Sequence, residues 1–215
     1  MTASRRVRRQ LAAAVGPFTK ACTALVEHPN LREVWPEYLV LQHQIIRATV
    51  PLTEAALARS RELNDPLREP LSAYLEEHVD EELHHDEGLL DDLELLGLDR
   101  DEVLGRTPPA SVATLVGAQY YWIAHHHPVA FLGYVALMEG YPPTDELIDT
   151  LAERTGFARK TFRTFTEHGE LDPGHRDHLD RTLDELPLGE EHEGLIVMSA
   201  TTTADLAAQA VSEIL

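Results

Sequence analysis

The chain has 215 residues, 43% hydrophobic and 26% charged, with a formal net charge of −19. That length and balance fit one globular domain with a sizeable core. A body this acidic repels phosphate backbones and anionic lipids, so nucleic acid and membrane surfaces are set aside as partners.

Residues 4–27 read as a first helix, with residues 1–8 expected to be disordered. The helix opens on a basic cluster, Arg5, Arg6, Arg8 and Arg9, that imitates the head of a signal peptide. The apolar run behind it, Leu11 to Val15, stops at Gly16-Pro17 and is too short for a leader. No stretch is long enough to span a bilayer, so the reading is a cytoplasmic protein. Cys22 is the only cysteine, which rules out a disulfide within the chain and an all-thiolate metal site. In an apolar helix it reads as core rather than as a catalytic thiol. Any metal chemistry falls to carboxylates and to the 12 histidines.

Residues 31–62 read as a long helix bent at Pro51. Within it His43 and Arg47 lie four residues apart in an apolar stretch. Arg47 offers a charge to a substrate carboxylate, or else reaches the surface.

Asp65-Pro66 opens a third helix that runs to Gly97, with Pro at its first position. With Leu67 set at zero and each residue turning about 100°, Leu71, Leu75, Leu89, Leu93 and Leu96 fall between roughly 20° and 80°. His78, Glu82 and His85 fall on the same arc, at about 20°, 60° and 0°. Glu77, Glu81 and His84 fall off it, at about 280°, 320° and 260°. One carboxylate and two imidazoles therefore point inward among leucines. An ionised carboxylate buried alone costs several kcal/mol, and a metal ion is one partner that offsets this. Glu82 and His85 have the Glu-x-x-His spacing that lets one helix give two ligands to one metal.

A turn at residues 99–104 and a helix over 110–126 follow. His125-His126-His127 then leads into a helix from Pro128 through Glu139. That helix is apolar on nearly all sides and reads as central, with Glu139 its single charge. Glu139 either escapes to water at the helix end or bridges a metal pair. Thr144 caps a helix to about Thr155. The next helix runs from about Phe157 past Pro173 to Leu186, and a last one follows Ser199.

In the helix past Pro173, His168-x-x-x-Asp172-x-x-His175 puts three ligand types on one stripe. Phe165, Leu179, Leu183 and Leu186 continue that stripe, while His178 falls about 280° away and reads as solvent-facing. Pro173 crowds the carbonyl of Gly169, where the missing side chain leaves room for a kink. The alternative is that Asp172 caps a new helix starting at Pro173. Period-2 alternation is nearly absent, so the expected fold is all-α, one domain over residues 1–215, a bundle of about seven helices.

Glu82, Glu139 and Asp172 supply three negative charges, and His85, His168 and His175 supply three neutral nitrogens. Two Fe(II) ions would nearly neutralise the set, and mixed imidazole and carboxylate ligands with open positions suit non-haem iron that binds O₂. Zinc or manganese fits the same ligands.

Three segments resemble the haem-oxygenase-like di-iron oxidases, a family of iron-containing redox enzymes. They are Glu82-Leu-His-His85 with the Leu-rich run to Gly97, Gly133-Tyr-Val-Ala-Leu-Met-Glu139-Gly, and His168-x-x-x-Asp172-x-x-His175. Together they cover about residues 40–190. The resemblance implies a haem-oxygenase-like bundle, two Fe(II) ions, O₂ as co-substrate, and ligands Glu82, His85, Glu139, His168, Asp172 and His175. Some similar proteins take another carboxylate a turn or more before the first His, which brings in His78 and Glu81 as alternative ligands or supporting partners. It further implies a small-molecule substrate, an amine, amino acid or fatty acid, oxidised by N-oxygenation or C–C cleavage, and a homodimer. Competing readings are a haem-binding or haem-degrading protein, a non-catalytic iron binder, and a thiaminase-like hydrolase, which needs a catalytic Cys.

Overall fold

A computed structural model describes all 215 residues. It is all-α, with twelve helices and two short 3₁₀ turns. The helices are α1 (Ala3–Ala14), α2 (Gly16–Val26), α3 (Leu31–Ile46), α4 (Thr49–Ser60), α5 (Arg68–Glu82), α6 (His85–Leu95), α7 (Arg100–Gly105), α8 (Ala110–His125), α9 (Phe131–Met138), α10 (Asp145–Thr155), α11 (Arg163–Glu185) and α12 (Glu190–Glu213).

The count exceeds the expected seven because long periodic stretches are interrupted. The first expected helix breaks at Val15, where Gly16-Pro17 restarts the chain. The second breaks after Arg47 rather than at Pro51, which lies in the first turn of α4, where a missing N–H costs nothing. The third breaks at Leu83-His84. The turn expected at residues 99–104 is the short α7 (Arg100–Gly105), capped by Asp99, whose carboxylate accepts from the Glu102 N–H at 3.0 Å. Thr144 caps α10 as expected, its hydroxyl accepting from the Leu147 N–H at 3.2 Å. The last helix begins at Glu190, well before Ser199, with Glu190, Glu191 and Glu193 set against the positive end of its dipole.

The N-terminus is ordered where disorder was expected. Val7 and Leu11 are buried in the core. Two of the arginines that imitate a leader are tethers: Arg6 pairs with Glu193 of α12 and Arg8 with Asp180 of α11 at 2.9 Å. Arg8 also donates to the Ala136 carbonyl near the end of α9, at 3.0 Å.

Helix α9 is the central element. Phe131, Leu132, Gly133, Tyr134, Val135, Ala136 and Leu137 are all buried. Gly133 faces α12 so closely that a Cβ there would stand 2.1 Å from the Ile196 carbonyl oxygen. An aromatic cluster packs the other side of the core. Trp35 lies within 5.2 to 5.4 Å, centroid to centroid, of Tyr38, Phe162 and Phe165, tying α3 to the start of α11. Trp35 is fully buried, so Trp35→Ala should cost about 3–5 kcal/mol, read as a lower midpoint in urea unfolding of the metal-free protein.

Candidate metal centre

Helices α5, α6, α9 and α11 bring every sequence-predicted ligand to one interior region. His78, Glu82, Glu139 and Asp172 are buried, and His85, His168 and His175 are nearly so. The His85 ring lies 4.9 Å from that of His168 and 6.4 Å from that of His175. His85 Nδ1 stands 3.4 Å from a Glu82 oxygen. Glu139 Oε1 stands 3.6 Å from His78 Nδ1 and 4.0 Å from His175 Nδ1. Donor atoms of His78, Glu82 and Glu139 all lie within 4.8 Å of one another.

Glu82 and His85 do not sit on one unbroken helix. His84 between them has φ 71°, the only non-glycine with positive φ in the chain. Such a residue costs about 1 kcal/mol or more, and strain of this kind concentrates at functional sites. It ends α5 after Glu82 and restarts the chain at His85, turning both side chains to the same interior spot. Glu81 and Glu82 also crowd the negative end of the α5 dipole, where no basic residue lies in the last turn. A cation at this point would relieve both.

On α11 the helix runs unbroken through Pro173, and the Asp172 side chain is buried and makes no cap. The space at Gly169 is filled from outside. A Cβ there would stand 2.6 Å from the Pro143 carbonyl oxygen of the α9–α10 loop. His168 Nδ1 donates to the Thr164 carbonyl at 2.8 Å. A carbonyl only accepts, so the proton is on Nδ1, and Nε2 keeps its lone pair for a ligand.

Glu139 does not escape to water. It is 5% exposed, and neither carboxylate oxygen has a hydrogen-bond partner. His78 Nε2, His85 Nδ1 and His175 Nδ1 are also buried and unpartnered. Buried polar atoms are rarely left unpaired, and this cluster of orphaned acceptors and imidazole nitrogens offers the donor types that a carboxylate–imidazole metal site needs. The residues therefore fit a bound metal.

The electrostatics agree. Burial, reinforced by Glu82, Asp172 and Glu81, pushes the Glu139 carboxyl well above its usual range. Burial and then Glu82 lift Asp172 from 3.8 to about 7. Burial works against the Glu82 anion too, but His85, His78 and His168 outweigh it and hold that carboxyl below its usual range. Contact with Glu82 raises His85, whereas burial lowers His168 and His175. The pocket is thus short of positive charge when it holds no metal.

A cavity of about 150 Å³ adjoins the centre and is lined by His78, Glu82, Glu139, His168 and Asp172 on one side. Phe18, Tyr38, Ile46, Met138, Tyr141 and Phe165 form apolar walls, with Gln42 and Thr49 as polar points. His43 and Arg47 are not among the lining residues. His43 lies fully buried on α3, where burial and then Arg47 lower its pKa and keep the ring neutral. Gln42 and Ile46 of the same helix take the cavity positions instead. His127 holds loops together, its Nε2 3.2 Å from Asp65, while His125 and His126 are exposed.

Two participants were not legible from spacing. His178 is 18% exposed rather than open to solvent, and it pairs with Glu81 at 3.3 Å and Glu77 at 3.6 Å. Thr164, which fixes the His168 tautomer, carries no signal of its own.

The sequence profile of the family described as iron-containing redox enzymes matches residues 36–208. The chain belongs to this family of iron-containing redox enzymes. No curated protein matches it at significant similarity. Among solved structures, it is similar to a domain of unknown function with a heme oxygenase-like fold from Shewanella denitrificans OS217, at 18% identity, 98% of this chain and 90% of that one, TM-score 0.82. It is similar to a TenA homolog from Pseudomonas syringae pv. tomato DC3000, at 12% identity, 94% and 91% coverage, TM-score 0.69. It is also similar to a TenA homologue from P. horikoshii OT3, at 14% identity, 100% and 98% coverage, TM-score 0.62. The fold is therefore heme oxygenase-like, as the resemblance implied. No helix of this family member is long and apolar enough to cross a membrane.

Proposed function

We propose that this redox enzyme holds two Fe(II) ions between α5, α6, α9 and α11 and uses O₂ to oxidise a small organic molecule in the adjoining cavity. The observation that carries the reading is Glu139, buried with both oxygens unpartnered between imidazoles from α5 and α11. Glu82, His85, Glu139, His168, Asp172 and His175 would hold the pair, with His78 as a further ligand. When bound, the metals supply the electrons and the Lewis acidity that O₂ activation needs. The chain's own residues do the rest. Thr164 orients His168, Glu139 would offer its carboxylate to the metals from the end of the central helix, and the aromatic walls would exclude water and seat the substrate. Those walls favour a molecule with an apolar body that turns its polar end, an amine or a carboxylate, toward the metals.

A hydrolase reading on the same fold needs a reactive thiol. Cys22 does not line the cavity, and burial pushes its pKa up to about 11.

Anaerobic titration of the metal-free protein with Fe(II) should show two equivalents bound and a rise in melting temperature of about 5–10 °C. Admission of O₂ should then be followed by uptake that quickens with one member of a panel of amines, amino acids and fatty acids. Failure to bind two equivalents, with no change in melting, would sink the proposal.

A further inference from the structure

Outside the candidate centre, a second set of metal-binding side chains lies on the facing surfaces of α5 and α11. Donor atoms of Glu77, Glu81 and His178 all lie within 4.8 Å of one another. The three groups are the start of a file of close contacts that runs inward. Glu77 Oε2 is 3.6 Å from His178 Nε2, and His178 Nδ1 is 3.3 Å from Glu81 Oε1. The other oxygen of Glu81 is 3.3 Å from His78 Nδ1, and that nitrogen is 3.6 Å from Glu139. Side-chain exposure is 65% at Glu77, 18% at His178, 22% at Glu81 and 2% at His78, so the outer end is open and the inner end closed. Every member is a metal-ligand type, and carboxylates alternate with imidazoles.

We infer that Glu77, Glu81 and His178 form an outer divalent-cation site through which metal reaches the buried pair. The inference rests on the two-metal reading above. Four observations support it. Glu81 faces both ways, one oxygen to the outer imidazole and one to the inner, so rotation of a single carboxylate hands a cation across without leaving it unliganded. His78, at the inner end, is 1% exposed, and its Nε2 has no partner. Tyr74 sets the two imidazoles of the file, stacked on His78 with centroids 5.5 Å apart and edge-on to His178 at 5.1 Å. The substrate cavity, finally, has walls made by Phe18, Tyr38, Ile46 and Phe165, and none of the outer three residues lines it. A hydrated cation pays heavily to cross an apolar wall, whereas the file offers ligands at each step. Metal and substrate thus enter by different faces. The transfer is ligand exchange only, and no electron moves.

The test uses Co(II) as a redox-silent probe on the metal-free full-length protein. Visible absorption and calorimetric titration count the equivalents, and stopped-flow absorption follows loading. Wild type should bind two equivalents tightly and a third more weakly. His178→Ala should lose the third equivalent, fill the inner pair to the same final occupancy, and fill it roughly tenfold more slowly. Glu77→Gln alters an exposed side chain, so the fold is kept, and it should slow loading in the same direction. Thermal midpoints of the metal-free variants check that both are folded. If both variants load at the wild-type rate, or if wild type takes up only two equivalents, the outer site is overturned. Unchanged loading with an altered pH profile of turnover would also overturn it, and would mark the file as a proton path. Absence of any tight binding in wild type would instead fell the two-metal reading itself.

Discussion

Glu139→Gln should give a metal-free protein at least as stable as wild type at neutral pH, yet lower metal affinity by more than about 100-fold. The two effects share one cause. The Glu139 carboxyl is buried among Glu82, Asp172 and Glu81 and titrates well above its usual 4.5. A carboxyl whose folded pKa is raised stabilises the fold fully below its unfolded pKa and loses that contribution as pH rises toward the folded value. Asp172 acts in the same direction between 3.8 and about 7. His168 and His175, lowered from 6.5 by burial, act oppositely below 6.5, where they add stability as pH rises. The metal-free wild type should therefore lose stability most steeply as pH climbs past 6.5, where the histidines no longer offset Glu139 and Asp172. Glutamine keeps the volume and removes the charge, so the variant should show a flatter profile. Bound metal reverses the balance by giving the carboxylate its partner. Scanning calorimetry with and without metal checks both halves. A variant that is less stable without metal, or that retains iron, would contradict the assignment of Glu139.

Gly133→Val should leave little folded protein. A Cβ at Gly133 would come within 2.1 Å of the Ile196 oxygen, 2.7 Å of the Ala200 nitrogen and 2.8 Å of the Ser199 Cβ. Two of the three obstacles are backbone of α12, which no rotamer change can move aside. Relief requires α9 and α12 to part, and overpacking on that scale costs about 3 kcal/mol or more. The central helix also ends at Glu139, so any displacement of α9 moves a ligand. Even Gly133→Ala should lower the urea midpoint and weaken metal binding together. Chemical denaturation beside metal titration on the same samples checks this. An alanine variant with wild-type values in both would show that the two helices are not held at this distance.

Much of the centre was legible because burial and period-3.6 spacing act on the same side chains. His78, Glu82 and His85 fall on the leucine arc of their stretch, and all three point inward. His168, Asp172 and His175 share a stripe, and a single charge in an all-apolar helix marked Glu139. The breaks between helices were less legible. Apolar periodicity continues through Arg47-Ala48 and through Leu83-His84, and the second break depends on a left-handed histidine that no propensity favours. The early start of α12 carries a sequence signal, three glutamates after Gly189 at the positive end of the helix dipole. The pairing of His178 with Glu77 and Glu81 could not be read at all. Each falls off the buried face of its own helix. They meet because those two off-axis faces lie against each other, which is a property of the packing and not of either segment. Arg47 and His43 show the converse: the stretch up to Ile46 is helical as expected, but the cavity opens one residue to the side, at Gln42 and Ile46.

Gly169 and His168 are neighbours with separate duties. One seats the Pro143 carbonyl of the α9–α10 loop, a strap whose Tyr141 and Pro143 line the cavity, and the other offers its nitrogen to the interior. The strap and the inner ligand are thereby riveted to adjacent links of one rod. A lengthened or shortened strap cannot settle independently, because any new seat at Gly169 turns the rod that aims His168. Reshaping of this cavity wall is consequently confined to side chains, with the path of the strap itself left fixed.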